Sequence, residues 1–256
     1  MYDSMRAHPP TAAPLAPARM RLNKHISDTG FCSRREADNL IAEGRVTVNG
    51  TRARIGAEVG EGDQVLVDGQ PLKVRQVAKG KRQHVYIALN KPVGVTSTTE
   101  AGVKHNIVDF VGHQDRIFPI GRLDKDSEGL ILMTSNGDIV NEILRAENKL
   151  EKEYLVVVNH AVTDEFLRAM ARGVPVHGQT TLPCKTGKLG KFGFRIVLVQ
   201  GLNRQIRLMA AHFGFRVKQL LRVRIGNVKL GHLKPGQWRN LTDAELQGLL
   251  PQRTQW

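Results

Sequence analysis

The chain has 256 residues, 41% hydrophobic and 24% charged, enough to bury the cores of one or two ordinary globular domains. Its formal net charge of +14, from 38 Lys and Arg against 24 Asp and Glu, calls for a polyanionic partner: RNA, DNA or an anionic membrane surface. No run approaches the roughly 18 consecutive apolar residues of a spanning helix. The N-terminus lacks an apolar segment ahead of a cleavage site, which argues against export. Cys32 and Cys184 make no metal-ligand spacing and read as reduced thiols of a cytoplasmic protein.

Residues 1–20 hold four of the eleven prolines and no apolar periodicity, the composition of a disordered leader. A compact unit is expected over 21–76. Leu22 and Ile26 give a short helix that ends near Gly30, and Ser33-Arg34-Arg35-Glu36 has the form of a capping box opening a second helix. Ala37, Leu40 and Ile41 carry its apolar face as far as Gly44. Val46-Thr47-Val48 followed by Asn49-Gly50 is a strand entering a two-residue hairpin turn, with another strand over 63–68. Arg34 and Arg35 stand in a first helical turn, where the dipole disfavours positive charge. Two exposed arginines would cost only a few tenths of a kcal/mol there. With Arg45, Arg52 and Arg54 close by in sequence, we read them as facing RNA phosphates.

A linker over 77–83 leads to a larger domain at 84–250, followed by a tail at 251–256. Strands are predicted at 84–89, 118–121, 130–134, 154–158 and 194–199. Helices are predicted at 138–145, at 164–172 behind a Thr163 cap, and at 204–213. Strands and helices without strict alternation indicate an α+β domain on a mainly antiparallel mixed sheet. From Phe166 to Thr242 there are fifteen Lys or Arg and no Asp or Glu, the pattern of a face that tracks phosphates. The segment Gly121-Arg122-Leu123-Asp124-Lys125-Asp126-Ser127-Glu128-Gly129-Leu130 is a polar loop between apolar strands. On composition alone it is either a solvated acidic turn or a loop that presents one side chain. Without accompanying His or Cys its carboxylates make no metal cluster.

Two sets of segments carry resemblances. Arg21-Leu22-Asn23-Lys24-His25-Ile26, Cys32 to Ala37 and Val46 to Gly50 resemble the S4-type RNA-binding domain. Gly121 to Asp138, with Asn90-Lys91-Pro92-Val93-Gly94 and Gly201-Leu202-Asn203-Arg204-Gln205-Ile206-Arg207, resembles the RsuA-type pseudouridine synthases, in particular those acting on large-subunit ribosomal RNA. Together they span about residues 20 to 250. The resemblance implies that Asp124 is the essential aspartate, that Tyr154 stacks on the target base, and that Arg207 is the basic residue paired with Asp124. It implies that Arg122 helps displace the target nucleotide; Arg204 would contact a phosphate. Lys24, Arg34, Arg35 and Arg45 would be RNA contacts of the S4-like unit. Leu208 departs from the pattern, where relatives often carry a second basic residue.

The chemistry fits these residue types. Turning uridine into pseudouridine breaks the bond from C1′ to N1, rotates the base and joins C1′ to C5. A carboxylate can stabilise or capture the positive character at C1′, or first remove a sugar proton. A paired guanidinium stabilises the carboxylate's charge. Nothing is oxidised and no group is imported, so no cofactor and no metal are expected. The uridine must leave its stack, which the basic face and an aromatic platform offset. We therefore expect a monomeric, cytoplasmic RNA-modifying enzyme. A transfer RNA substrate, a non-catalytic RNA chaperone or ribosome-assembly factor, and a DNA-binding regulator are the alternatives.

Overall fold

The structure, a computed structural model, describes residues 19–72, 84–100, 102–144 and 150–250. The expected leader (save its last two residues), the linker and the tail lie outside the described residues. The chain divides into two compact units, 1–82 and 83–256.

In the first unit β1 (Met20–Arg21) runs into α1 (Leu22–Asp28), which buries Leu22 and Ile26 one turn apart. The capping box forms at the head of α2 (Arg34–Ala42): the Ser33 hydroxyl accepts from the Glu36 N–H at 3.1 Å, and the Glu36 carboxylate accepts from the Ser33 N–H at 2.6 Å. Ala37 and Ile41 face the core. β2 (Val46–Val48) and β3 (Thr51–Arg52) pair antiparallel across Asn49-Gly50, both at positive φ, as a turn of this hand requires. β4 (Glu58–Val59) pairs with β1, while β5 (Val65–Val67) and β6 (Gln70–Pro71) complete an antiparallel sheet of order β3-β2-β5-β6. Leu22, Ile26, Ala37, Ile41, Val46, Val59, Val65 and Val67 form its core.

The second unit begins with β7 (Tyr86–Lys91), then α3 (Ile107–Val111), β8 (Phe118–Ile120), β9 (Glu128–Thr134) and α4 (Gly137–Leu144). β10 (Lys152–Val158) precedes α5 (Asp164–Arg172), whose Thr163 cap accepts from the Phe166 N–H. Two short strands, β11 (Pro175–Val176) and β12 (Gln179–Thr180), lead to β13 (Lys185–Leu189), β14 (Gly193–Leu198) and α6 (Gln205–His212). β15 (Val217–Ile225), β16 (Val228–Lys229), β17 (Trp238–Asn240) and α7 (Asp243–Leu249) finish it.

The sheet has the order β13-β14-β10-β15-β9-β7-β17, with β8 and β16 attached to β9 and β15. Every pairing in it is antiparallel except β15 with β9. The fold is α+β, as the pattern of elements predicted. One apolar cluster, with Phe166, Phe194, Ile196 and Met209, packs α5 and α6 on the sheet; a second, with Leu130, Leu132, Ile139 and Ile143, packs α4. β13, β15 and β17 were not predicted. β15 lies in the middle of the sheet although it carries Lys218, Arg222 and Arg224.

That result also revises the reading of the acid-free basic stretch, because many of its cations meet acids from elsewhere. Lys185 pairs with Glu151 (2.8 Å), Arg195 with Glu153 (3.1 Å), and Arg224 with both (2.9 and 2.8 Å). Arg239 pairs with Glu245 at 2.6 Å. Cys32 and Cys184 are free, and burial pushes the Cys184 thiol up to about 11. No helix among the described residues is long and apolar enough to cross a membrane.

Candidate active site

β9 has two neighbours along one edge. Its first residues, Glu128 and Gly129, pair in parallel with Leu221 and Arg222 of β15, and its last three pair antiparallel with β8. At this branch opens a cavity of about 590 Å³, lined by Ile120, Asp124, Leu132, Tyr154, Leu220 and Arg222 among others. Gly129 sits at the branch with φ of 107°, where a β-carbon would collide with the Arg222 backbone. Only glycine lets the two strands close there.

The loop from Gly121 to Ser127 joins β8 to β9 and is held from several sides. Leu123 is buried, and the Ser97 hydroxyl accepts from its N–H at 3.2 Å and donates to its carbonyl at 2.8 Å. The Ser127 N–H donates to the Asp124 carbonyl (3.1 Å), and the Gly94 N–H donates to the Lys125 carbonyl (2.8 Å). Asp124 thus leaves the chain at the start of a fixed turn, its side chain 32% exposed at the cavity. Lys91 is fully buried; its ammonium donates to the Pro92 and Val95 carbonyls, each at 2.9 Å. Burial, and secondarily the charge of Arg222, pushes it down to about 8.

The start of α6 supplies two arginines to this loop. Arg204, in the left-handed region at φ 51°, forks onto Asp126 with bonds of 3.1 and 2.9 Å, and approaches the Asp124 carboxylate at 4.0 Å. The Arg207 guanidinium donates to the Asp126 carbonyl (2.7 Å), the Ser127 hydroxyl (3.3 Å) and the Val217 carbonyl (3.2 Å). Its charged partner is Asp126, at 3.4 Å, so the expected direct Arg207–Asp124 pair is replaced by a contact to the residue two further on. Arg204 is the cation nearest Asp124. The Arg204 hydrogen bond, with the charge of Arg207, holds the Asp126 carboxyl below the ordinary range against partial desolvation.

Tyr154 lines the cavity from β10, only 8% exposed. It faces Arg222 across the strand pair; the Arg222 guanidinium lies 5.9 Å from its ring centroid, and Nη1 donates to its hydroxyl at 3.5 Å. Arg122 is exposed at the cavity's lip. The site therefore brings together Asp124, Tyr154, Arg204 and Arg122, with Arg207 behind the loop. In the first unit, Arg34 and Arg35 are exposed. Arg45 is bound by a fork to Asp68 (2.8 and 2.6 Å) and to Glu43, and Lys24 bonds Asp28 at 2.6 Å, so neither presents a bare charge. Sequence reasoning missed Ser97, Asp126 as a clamp point, and Arg222. Asp126 had a signal in its place two residues from Asp124; a lone serine and a strand arginine had none. Among the described residues no cluster of metal-ligating side chains forms.

A carboxylate presented on a rigid turn, in an open cavity edged by an aromatic ring and arginines, is the equipment of an enzyme with a nucleotide substrate. The similarities of the chain agree. Residues 85–212 match the RNA pseudouridylate synthase family and residues 20–65 match the S4 domain. The chain is 57% identical over 232 residues to the dual-specificity RNA pseudouridine synthase RluF of Escherichia coli, covering 91% of this chain and 79% of that one. It is 34% identical to the ribosomal large subunit pseudouridine synthase B of Bacillus subtilis, over 90% of this chain and 95% of that one. A crystal structure of a pseudouridylate synthase superposes with a TM-score of 0.63 at 27% identity, over 90% of this chain and all of that one. This chain belongs to the RNA pseudouridine synthase family, and it is an isomerase that makes pseudouridine in RNA.

Proposed function

We propose that the enzyme isomerises a uridine of large-subunit ribosomal RNA, with Asp124 as the carboxylate that acts on the sugar. The single observation that carries the site assignment is the fixed turn. Ser97, Gly94 and Arg207 hold the backbone on either side of Asp124, Arg204 clamps the Asp126 carboxylate, and the Asp124 side chain is left facing the cavity. Such a placement supplies negative charge where C1′ becomes positive, without reorganisation. Tyr154 offers the flipped base a ring face, Arg122 stands at the lip where a displaced base leaves a gap, and Arg207 acts on Asp124 through the turn it braces. Arg204 opposes the desolvation of Asp124 as RNA covers it. The enzyme acts in the cytoplasm as a monomer, with an RNA-binding domain over 21–76 and a catalytic domain over 84–250.

The ribosomal substrate follows from the names of the relatives, one of which is called a ribosomal large subunit synthase. The RluF relatives are called dual-specificity enzymes, so transfer RNA is the second substrate to assay. Release of tritium from C5-labelled uridine separates these readings. Wild type should release tritium from large-subunit ribosomal RNA. Asp124→Asn should release none while its RNA affinity stays within several-fold, because the cradle is intact. Retained turnover in Asp124→Asn would overturn the assignment, and release from transfer RNA alone would replace the substrate.

A further inference from the structure

When C1′–N1 breaks, the electron pair goes to N1, and the detached uracil carries a negative charge spread over N1, O2 and O4. Asp124 answers the positive character at C1′; as an anion it can do nothing for the charge on the base. Once RNA covers the cavity, that charge needs a donor fixed where it develops.

Arg222 has the required placement. It is 4% exposed and lines the same cavity as Asp124. Its Nε donates to the Leu130 carbonyl at 2.6 Å and its Nη1 to the Arg122 carbonyl at 3.4 Å, carbonyls that lie on either side of the catalytic turn in sequence. A third contact, to the Tyr154 hydroxyl, ties the fork to the aromatic ring. All these partners are neutral. No carboxylate among the described residues forms an ion pair with Arg222, unlike Arg204, Arg207, Arg224 and Arg239 of the same unit. Its Nη2 has no hydrogen-bond partner among the described residues and is not sealed from solvent. Lys152 lines the cavity too, its ammonium bonded to the Leu150 carbonyl at 3.2 Å. Burial lowers the pKa of Lys91 and of Lys152, and the charge of Arg222 lowers both further, so its field reaches through this region. A buried guanidinium held only by neutral groups is costly unless an anion joins it. In this cavity the anion arrives with the reaction.

We propose that Arg222 is the catalytic residue for the departing base, its free Nη2 donating to a uracil carbonyl oxygen as C1′–N1 breaks. The proposal rests on the reading of this cavity as the uridine site. Arg222 holds the charge while the base turns. C5 then bonds to C1′ with the electron pair of the C5–C6 double bond, the C5 proton leaves to a base, and N1 takes up a proton. No oxidant or group donor enters.

The test compares the single-turnover rate at which the starting nucleotide is consumed by C1′–N1 cleavage, on large-subunit ribosomal RNA made with uridine or with 5-fluorouridine. The fluorinated C5 has no proton to release, so the reaction is followed by substrate loss. Fluorine lets the detached base hold negative charge more readily, so bond cleavage needs less help from a cation. Arg222→Gln should slow the uridine reaction about a hundredfold, the effect of removing one such donor. On the fluorinated RNA the loss should be several-fold smaller. A purely structural role, in which the loop or Tyr154 shifts, would lower both rates alike. Equal losses, or none, would overturn the proposal. If Arg222→Gln does not fold, Arg222→Lys keeps the buried charge and decides the matter in the same way: a loss that shrinks on the fluorinated RNA supports the proposal, and an equal loss or none overturns it. Asp124→Asn is run beside them. Activity retained there would overturn the cavity as the uridine site, whereas loss there with equal Arg222 losses would overturn only the assignment of Arg222.

Discussion

Asp124 stands out in its loop only through the motif around it; the residues that aim it are scattered. Ser97 is the clearest case. Its hydroxyl is buried and satisfies both the N–H and the carbonyl of Leu123, the residue immediately before Asp124. In sequence it is one hydroxyl of a Thr-Ser-Thr-Thr run, twenty-six positions before Leu123, with nothing to mark it. Contacts across such a separation come from the sheet, since β7 and β9 pair side by side and bring the loops after one and before the other together. Ser97→Ala leaves two buried backbone groups without a partner, which should cost about 1–3 kcal/mol in urea unfolding. It should also lower kcat more than it changes KM for RNA, because the cradle is untouched while the turn carrying Asp124 loosens. An unchanged kcat in a destabilised protein would show that the Gly94 and arginine contacts alone suffice to hold the turn. Arg207 teaches a related point: it is in the expected place on α6, yet braces Asp126 and the backbone instead of meeting Asp124. Sequence similarity located the residue, and only coordinates could show which carboxylate it reaches.

Elements were legible where a local rule fixes them. The caps at Ser33 and Thr163 and the Asn49-Gly50 turn are governed by neighbours within four residues, and all three formed. β15 was not legible, because its charges break the apolar alternation that marks a strand, and Arg224 is neutralised only by Glu153 of the paired β10 and by Glu151 just before it. α7 was missed although it has a capping box, formed by Thr242 and Glu245. There Glu245 also receives a fork from Arg239, with bonds of 2.7 and 2.6 Å, which pulls its carboxyl down to about 2. A carboxyl lowered in the folded state contributes stability that is fully present above its unfolded value, 4.5, and is lost as the pH falls from there through about 2. At pH 7, Glu245→Gln should therefore destabilise the protein by about 1–2 kcal/mol, through a weakened cap and the loss of a charged partner for Arg239. The gap between wild type and variant should close as the pH is lowered from 4.5 towards 2. Denaturant unfolding of both proteins across that range measures it, and a gap that stays constant would mean the fork contributes nothing to stability.

For the molecule as a whole, the net charge and its concentration in one stretch agree with an RNA partner, but part of that basic stretch is taken up inside the fold. The acid-free stretch pairs several of its cations with acids held elsewhere in the fold, while the first unit keeps Arg34 and Arg35 exposed and has Arg45 already paired. RNA affinity should therefore draw on both units, with no single basic segment supplying all of it. The second unit has two apolar clusters of its own and shares none of them with the first, so it should fold when residues 1–82 are removed. The shortened protein should show a cooperative unfolding transition and bind ribosomal RNA about ten- to a hundredfold more weakly. Its log affinity should fall less steeply with log salt, by roughly 0.7–0.9 for each phosphate that the first unit no longer neutralises. Weaker binding with an unchanged salt slope would mean that the first unit recognises RNA by shape or by base contacts, with its exposed arginines idle. Unchanged affinity would leave the second unit alone responsible for holding the substrate, and the Arg34–Arg35 turn would then be only a solvated helix end.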